Sequence, residues 1–189
     1  YLMGDLMESA SKKVGNSAFS TNMSVNDQKE YLLDILKPFK DDIVVYVMGN
    51  HENRINNEFN FNMVEDIARE LEIESGHQYI DRFDVNGNKF DVMVRHGKGS
   101  TGQRHLAMGK LERNTSNVEA DLYMEGHNHR CMWWNNLVRT SEGVRRKYYA
   151  YTGGFLNYNG YADSMYLTIE ASAFQTITIN KNMRVKNTS

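Results

Sequence analysis

Four apolar stretches of this chain end beside a glycine and a side chain that can bind a metal ion. They end in Gly4-Asp5, in Gly49-Asn50-His51-Glu52, in His96-Gly97 and in Gly126-His127-Asn128-His129. Short apolar, β-branched runs such as Ile43–Met48 predict buried strands. Because strand ends meet along one edge of an open α/β sheet, we expect these side chains to lie close together. Chance is a poor explanation of such endings on every one of these strands.

The last of these endings shows how two ligands can come from one strand. In an extended backbone, residues two apart point to the same side, so His127 and His129 can reach one ion. Gly126 lets the chain turn sharply after the strand. A lone His-x-His is more often a pair of solvated loop histidines, so the other strand ends are what favour a metal site.

Length and composition limit the class of protein. With 189 residues, 40% of them hydrophobic and 24% charged, the chain is expected to form a single globular domain over residues 1–189. The formal net charge of −2 excludes an overall basic field that would attract nucleic acid, so any such contact would be local. The oligomeric state is left open.

The expected location is the cytoplasm. Cys131 is the single cysteine, which excludes an internal disulfide and fits a reducing compartment. The longest apolar runs are too short to cross a bilayer, and no charged segment followed by an apolar one opens the chain as in a signal peptide. We therefore expect no membrane association.

The remaining pattern predicts helices alternating with strands, followed by successive strands. A helix capped by Ser24 or Asn26 is expected to falter at Lys37 before Pro38, and Asn86-Gly87 predicts a hairpin. The other expected elements are helices near 57–72 and 102–117 and strands within 132–140, 145–154, 164–172 and 174–180. This order predicts an α/β sandwich of two sheets with helices outside.

The ordered set GD, GNHE, H and GHxH resembles the calcineurin-like metallophosphoesterase superfamily. The resemblance covers essentially the whole chain from Asp5 onward, and in detail is similar to the small phosphoesterases of bacteriophages and bacteria. It implies an αββα sandwich of two mixed β-sheets flanked by helices. It also implies two divalent metal ions, drawn from Mn, Fe, Zn, Ni and Co, of which we favour Mn.

The resemblance also assigns the ligands. Asp5 would bridge the two ions and His129 would bind the first. The second ion would take, besides Asp5, the side chains of Asn50, His96 and His127. A hydroxide bridging the ions would be the nucleophile, because two ions lower the pKa of bound water to about 7.

Three further residues carry expected roles beside the metals. The resemblance makes His51 the residue that stabilises or protonates the leaving oxygen, a role that suits an imidazole. Glu8 is the candidate to orient His51, although a solvated loop acid explains it equally well. Arg54 is a candidate phosphate contact, against an ordinary salt bridge.

Two departures from the family pattern matter. The Asp-x-His motif that should precede Gly4-Asp5 is absent, so we expect either a chain truncated at its N-terminus or a degenerate first metal position. The start at Tyr1, within what looks like a strand, favours truncation. The Asp-Arg-Gly signature of phosphoprotein phosphatases is also missing, since Glu8-Ser9-Ala10 stands in its place.

The sequence therefore predicts a dinuclear metal-dependent phosphoester hydrolase, in particular a phosphodiesterase or nuclease acting on nucleic acid or nucleotides. The alternative is a non-catalytic scaffold that keeps the fold and binds proteins, which only the absent motif supports.

Other chemically suggestive residues have plainer explanations. His77 is expected to be structural or solvated, and His105 a poor candidate for a phosphate contact. Trp133 and Trp134 could stack on bases, but alternating core and surface aromatics explain them as well. The loop of Tyr158 is a candidate cleft wall. The glycine-rich residues 96–102 lack the spacing of a P-loop and are expected to form a flexible loop.

Overall fold

A computed structural model of the chain describes residues 1–9, 22–99, 103–141, 143–155, 175–180 and 185–188. The chain divides into two compact units, unit 1 over Tyr1–Tyr79 and unit 2 over Ile80–Ser189. The single domain expected from chain length stays a prediction.

The first α-helix that the structure describes in unit 1 is α1, Val25–Leu36. The hydroxyl of Ser24 accepts a hydrogen bond from the backbone N–H of Asp27, whose carboxylate accepts one in return from the N–H of Ser24. This capping box satisfies backbone groups that a helix start leaves unpaired. The α-helix ends at Leu36 as predicted, and a 3-10 helix, Lys37–Asp42, carries Pro38 in its first turn.

Two short parallel strands form the sheet of unit 1. Strand β1, Val45–Val47, pairs with β2, Glu74–Gly76, and Leu2 forms a parallel bridge with Tyr46. The first residues therefore run beside β1 as the apolar start of the sequence predicts. Buried side chains of α1, β1 and the two helices that follow pack into one core that includes Leu33, Tyr46, Ile55 and Ile67.

The expected helix over 57–72 is wrong in its extent. Two helices occupy this part of the chain: α2, Asn50–Phe59, and α3, Met63–Leu71. Asn60 has a φ of 52°, the left-handed conformation that ends a helix, and Asn62 caps α3 by accepting from the N–H of Glu65. Two residues separate β1 from α2, and Asn50 and His51 lie in the first turn of that helix.

Unit 2 contains a mixed five-stranded sheet in the order β3-β4-β5-β7-β6. Its strands are β3 (Gln78–Val85), β4 (Asn88–Arg95), β5 (Leu122–Glu125), β6 (Cys131–Thr140) and β7 (Gly143–Thr152). The predicted hairpin joins β3 and β4, with positive φ at both Asn86 and Gly87. Strand β5 runs parallel to β4 and to β7, so the carboxyl ends of β4 and β5 are adjacent.

One face of this sheet packs against α4, Arg104–Asn114. Ala107 and Leu111 of the helix lie in a core with Tyr123, Trp134 and Tyr149. Trp134 is thus a core residue whose indole N–H donates to Glu112, and Trp133 stacks on Tyr148. These contacts fit the explanation of both tryptophans as alternating core and surface aromatics.

The described end of the chain adds an antiparallel pair, β8 (Thr176–Ile179) and β9 (Val185–Thr188). The predicted strand within 164–172 and the loop of Tyr158 lie outside the described residues. The α/β class, with helices and a mixed five-stranded sheet, is confirmed. Within the described ranges, no helix combines the length and apolar character needed to cross a membrane.

Candidate metal centre

Asp5 lies in a tight turn directly after the bridge to β1. Gly4 and Asp5 have φ values of 80° and 54°, both in the left-handed region. A non-glycine residue there costs free energy, and such residues concentrate at functional sites. The backbone N–H of His51, in the first turn of α2, donates to Asp5 Oδ1 over 2.8 Å. The carboxylate is thereby fixed beside the start of α2.

Gly49 makes this approach possible. A Cβ atom at position 49 would lie 2.2 Å from both the backbone nitrogen and Oδ1 of Asp5, and 2.5 Å from Glu52 Oε2. No side chain fits at those distances, so the glycine of GNHE is required for close packing of the turn on α2.

The side chain of Glu52 holds the same turn through hydrogen bonds, a role that the sequence did not reveal. Its side chain is completely buried. Oε2 accepts from the N–H of Asp5 at 3.0 Å, and Oε1 accepts from Leu6 at 2.7 Å and Met7 at 3.2 Å. The Tyr46 hydroxyl also donates to Oε1, at 2.9 Å. Burial, followed by the nearby Glu52 carboxylate, raises the pKa of Tyr46 well above its ordinary value, so this hydroxyl stays a donor.

His51 faces two carboxylates of the same loop. Its Nδ1 lies 3.2 Å from Glu8 Oε2 and 3.2 Å from the Glu8 carbonyl oxygen, and its Nε2 lies 3.9 Å from Asp5 Oδ2. Arg54, one helical turn further along α2, places Nη1 3.6 Å from Glu8 Oε1. The structure therefore brings together Asp5, Glu8, His51 and Arg54, and Glu8 is not a free loop acid.

The charges of this group shift both pKa values. Burial alone lowers the pKa of His51, but the hydrogen bond to Glu8 and the charge of Asp5 outweigh it, so the pKa lies above its ordinary value. The hydrogen bond from His51 in turn lowers the pKa of Glu8, against the opposing effect of burial.

Unit 2 brings together His96 and His127. They follow the adjacent parallel strands β4 and β5, whose register pairs Arg95 with Glu125. His96 Nε2 and His127 Nδ1 are 3.1 Å apart, and the two rings meet edge to face. His96 is almost fully buried, with 3% of its surface exposed.

This contact is a hydrogen bond between the two imidazole rings, and its length also fits two nitrogens that bind one ion. Metal–nitrogen bonds of about 2.0–2.1 Å place two ligand nitrogens about 2.9 Å apart at a right angle and about 3.3 Å apart at a tetrahedral angle. The observed 3.1 Å lies between these values. The residues present in unit 2 therefore fit a divalent metal that accepts imidazole ligands.

His127 does not continue the strand, and the expectation of an extended His-x-His is wrong. Strand β5 ends at Glu125, and His127 and His129 have φ values of 58° and 53°. The N–H of Asn128 donates to the Gly126 carbonyl over 2.6 Å, which closes a three-residue γ-turn around His127. A strained turn, and not strand alternation, thus positions this histidine.

A buried ion pair lies immediately before the two histidines. Arg95 donates from Nη2 and Nε to Glu125 Oε2, at 2.7 and 3.0 Å, across β4 and β5. Arg95 also donates to the carbonyl oxygen of Asn114, the last residue of α4. A Cβ at Gly97 would lie 2.2 Å from Glu125 Oε1, and the φ of Gly97 is 89°. The chain after His96 therefore needs glycine to pass over this pair.

His129 packs against the end of β7. A Cβ at Gly154 would lie 3.2 Å from His129 Nδ1, and Gly153 donates from its N–H to the Arg130 carbonyl over 2.9 Å. Gly154, which follows β7, therefore gives the His129 ring its space. Asn50 is the first residue of α2 and is partly exposed, whereas His77 and His105 are exposed.

No protein-family model matches the chain, and no curated protein matches it. Among solved structures, a Vps29 complexed with Zn²⁺ from Entamoeba histolytica is 16% identical, with a TM-score of 0.32, over 66% of this chain and 63% of that one. A single mutant of Vps29 from the same organism is 14% identical, with a TM-score of 0.45, over 99% and 95%. A conserved uncharacterized protein from Streptococcus pneumoniae TIGR4, described as a predicted phosphoesterase, is 12% identical, with a TM-score of 0.38, over 85% and 90%.

Proposed function

We propose that the chain is a metal-dependent phosphoester hydrolase. The observation that carries the proposal is the pair of facing nitrogens, His96 Nε2 and His127 Nδ1, at the ends of adjacent parallel strands. Two imidazole nitrogens 3.1 Å apart beside a buried ion pair form the kind of donor set that holds a catalytic divalent metal.

The proposed cofactor is a pair of divalent ions, with Mn²⁺ favoured. Divalent ions would supply Lewis acidity and a hydroxide nucleophile at neutral pH. Following the resemblance, we assign Asp5, Asn50, His96 and His127 to one ion and Asp5 with His129 to the other.

His51 is proposed to donate a proton to the leaving oxygen. Glu8 accepts a hydrogen bond at Nδ1 of the ring, which fixes the tautomer and turns Nε2 away from Glu8. Arg54 is about one-third exposed and contacts Glu8 with Nη1. Its fork geometry leaves further N–H donors that can bind a phosphoryl oxygen.

For the substrate we propose a phosphodiester, in nucleic acid or in a nucleotide. The missing signatures of phosphoprotein phosphatases argue against phosphoproteins. The net charge of −2 gives no long-range attraction for a polyanion, so recognition would depend on local contacts such as Arg54.

Hydrolysis of bis-p-nitrophenyl phosphate tests the proposal. The protein is freed of metal, loaded with Mn²⁺ and assayed with and without a chelator. We expect turnover with Mn²⁺ that the chelator abolishes. His96→Ala should lose turnover, because one of two close ligand atoms is removed.

His105→Ala is the matched control, since His105 is an exposed histidine of the same unit. It should keep full activity. A folded, Mn²⁺-loaded protein that turns over no phosphoester would overturn the enzyme proposal and favour the protein-binding scaffold.

A further inference from the structure

Glu52 is a buried carboxylate to which the proposed reaction gives no role. It lies in the first turn of α2, one residue after His51, with none of its surface exposed. It is not among the proposed ligands. A buried carboxylate is costly unless hydrogen bonds compensate for lost hydration, so its partners explain why it is there.

Those partners are chiefly three consecutive backbone N–H groups, those of Asp5, Leu6 and Met7. Successive N–H groups converge on one point only when the backbone adopts an unusual turn, and such a concavity binds anions. Here the turn includes the left-handed Gly4 and Asp5. The Glu52 carboxylate occupies the concavity as its anion.

The turn determines where the Asp5 carboxylate lies. Left-handed backbone at a non-glycine residue is energetically costly, so it persists only when other contacts hold it. The contacts that hold Asp5 include its own N–H, which donates to Glu52 Oε2, and its Oδ1, which accepts from the His51 N–H. Both partners belong to the first turn of α2.

We propose that Glu52 is a positioning residue for metal binding, which holds Asp5 in its left-handed turn so that the Asp5 carboxylate is preorganised as a ligand. The inference rests on the proposed function in that it takes Asp5 as a metal ligand. Residues that orient metal ligands typically change metal affinity by about 10–100-fold when they are replaced.

Glu52→Gln separates this role from simple burial. A glutamine whose oxygen replaces Oε1 keeps the contacts to Leu6, Met7 and Tyr46. Its amide nitrogen then faces the N–H of Asp5, donor against donor, so the Asp5 contact alone is lost. Tyr46→Phe is the matched control, because it removes a buried hydrogen bond to the same carboxylate without touching the turn.

The measurements are Mn²⁺ affinity by calorimetry, thermal unfolding, and hydrogen exchange at individual amides of the metal-free protein. We expect both variants to unfold at lower temperature than the wild type. Only Glu52→Gln should bind Mn²⁺ about 10–100-fold more weakly and lose protection at the Asp5 amide. Tyr46→Phe should keep wild-type affinity and protection.

The outcomes separate this inference from the proposed function. Wild-type Mn²⁺ affinity in Glu52→Gln, or an equal loss in both variants, overturns the positioning role and leaves the hydrolase proposal standing. A wild type that binds no Mn²⁺ overturns both. Should Glu52→Gln not fold, exchange in the wild type still decides: rapid exchange at Asp5, Leu6 and Met7 would show that Glu52 does not hold the turn.

Discussion

Single substitutions of His51 and of Asp5 are expected to have different effects on Mn²⁺ binding and on hydrolysis. His51→Ala should keep Mn²⁺ bound but slow phosphodiester hydrolysis by ~10²–10⁴-fold, because it removes one acid–base group. Asp5→Asn should lose Mn²⁺ affinity, because it removes a ligand charge. Asparagine tolerates the left-handed φ of 54°, so backbone strain is not added. Calorimetry and steady-state rates on the two variants provide the comparison.

Equal loss of Mn²⁺ affinity in both variants would make His51 a ligand and contradict its proposed role. Glu8→Gln serves as the intermediate case. It keeps the size of the side chain but removes the charge 3.2 Å from His51 Nδ1, so a smaller loss of rate with unchanged Mn²⁺ affinity is expected.

The sequence predicted which residue types follow the strands, but not which contacts hold these residues in place. Asp5, His51, His96 and His127 are visible because a polar residue after an apolar run stands out in a single chain. Glu52 was missed because its backbone partners lie 45 to 47 positions away, and no local pattern reports such a contact. The left-handed turn at Asp5 depends on the same distant contacts, whereas the turn at His127 is closed locally by the hydrogen bond from the Asn128 N–H to the Gly126 carbonyl.

At the scale of elements, the ion pair between β4 and β5 is expected to stabilise unit 2. Glu125→Gln leaves Arg95 without its charged partner, and Glu125 is only 2% exposed. The free energy of unfolding should fall by about 2 kcal/mol; Arg95 keeps some access to water, which limits the loss. Urea unfolding measures it.

Glu65→Gln is the control for this loss. Glu65 pairs with Arg69 at 3.6 Å on the exposed surface of α3, with side chains 59% and 70% exposed. Exposed pairs contribute about 0–1 kcal/mol, so this variant should unfold nearly as the wild type does. Equal losses of unfolding free energy in both variants would show that the ion pair between β4 and β5 stabilises the protein no more than an exposed pair does.

Strands were predicted better than helix boundaries, for a physical reason. The buried run that contains β1 and the turn at Asn86-Gly87 carry their own local signals, since burial on both faces and paired positive φ values select few residue types. The division between α2 and α3 depends on Asn60 and on the cap at Asn62. Asn62, followed three residues later by Glu65, is a sequence signal for a helix start that the apolar pattern obscured.

Mn²⁺ binding is expected to stabilise the whole protein against unfolding. An ion that binds only the folded chain stabilises it by about 2.7 kcal/mol at a concentration 100 times its dissociation constant. The unfolding temperature should therefore rise with Mn²⁺ concentration and return to its metal-free value with a chelator. The same measurement also tests the proposed ligands one at a time.

Asp5→Asn tests the ligands of unit 1 and His96→Ala those of unit 2, with His105→Ala as the control. If the ions need all the assigned ligands, each of the first two variants should abolish most of the Mn²⁺-induced rise, and the control should keep it in full. Differential scanning calorimetry at several Mn²⁺ concentrations gives the shift for each variant. A full shift in Asp5→Asn combined with none in His96→Ala would confine metal binding to the histidines of unit 2. The assignment of Asp5 as a bridging ligand would then be wrong, while the metal dependence of the chain would stand on the facing nitrogens of His96 and His127 alone.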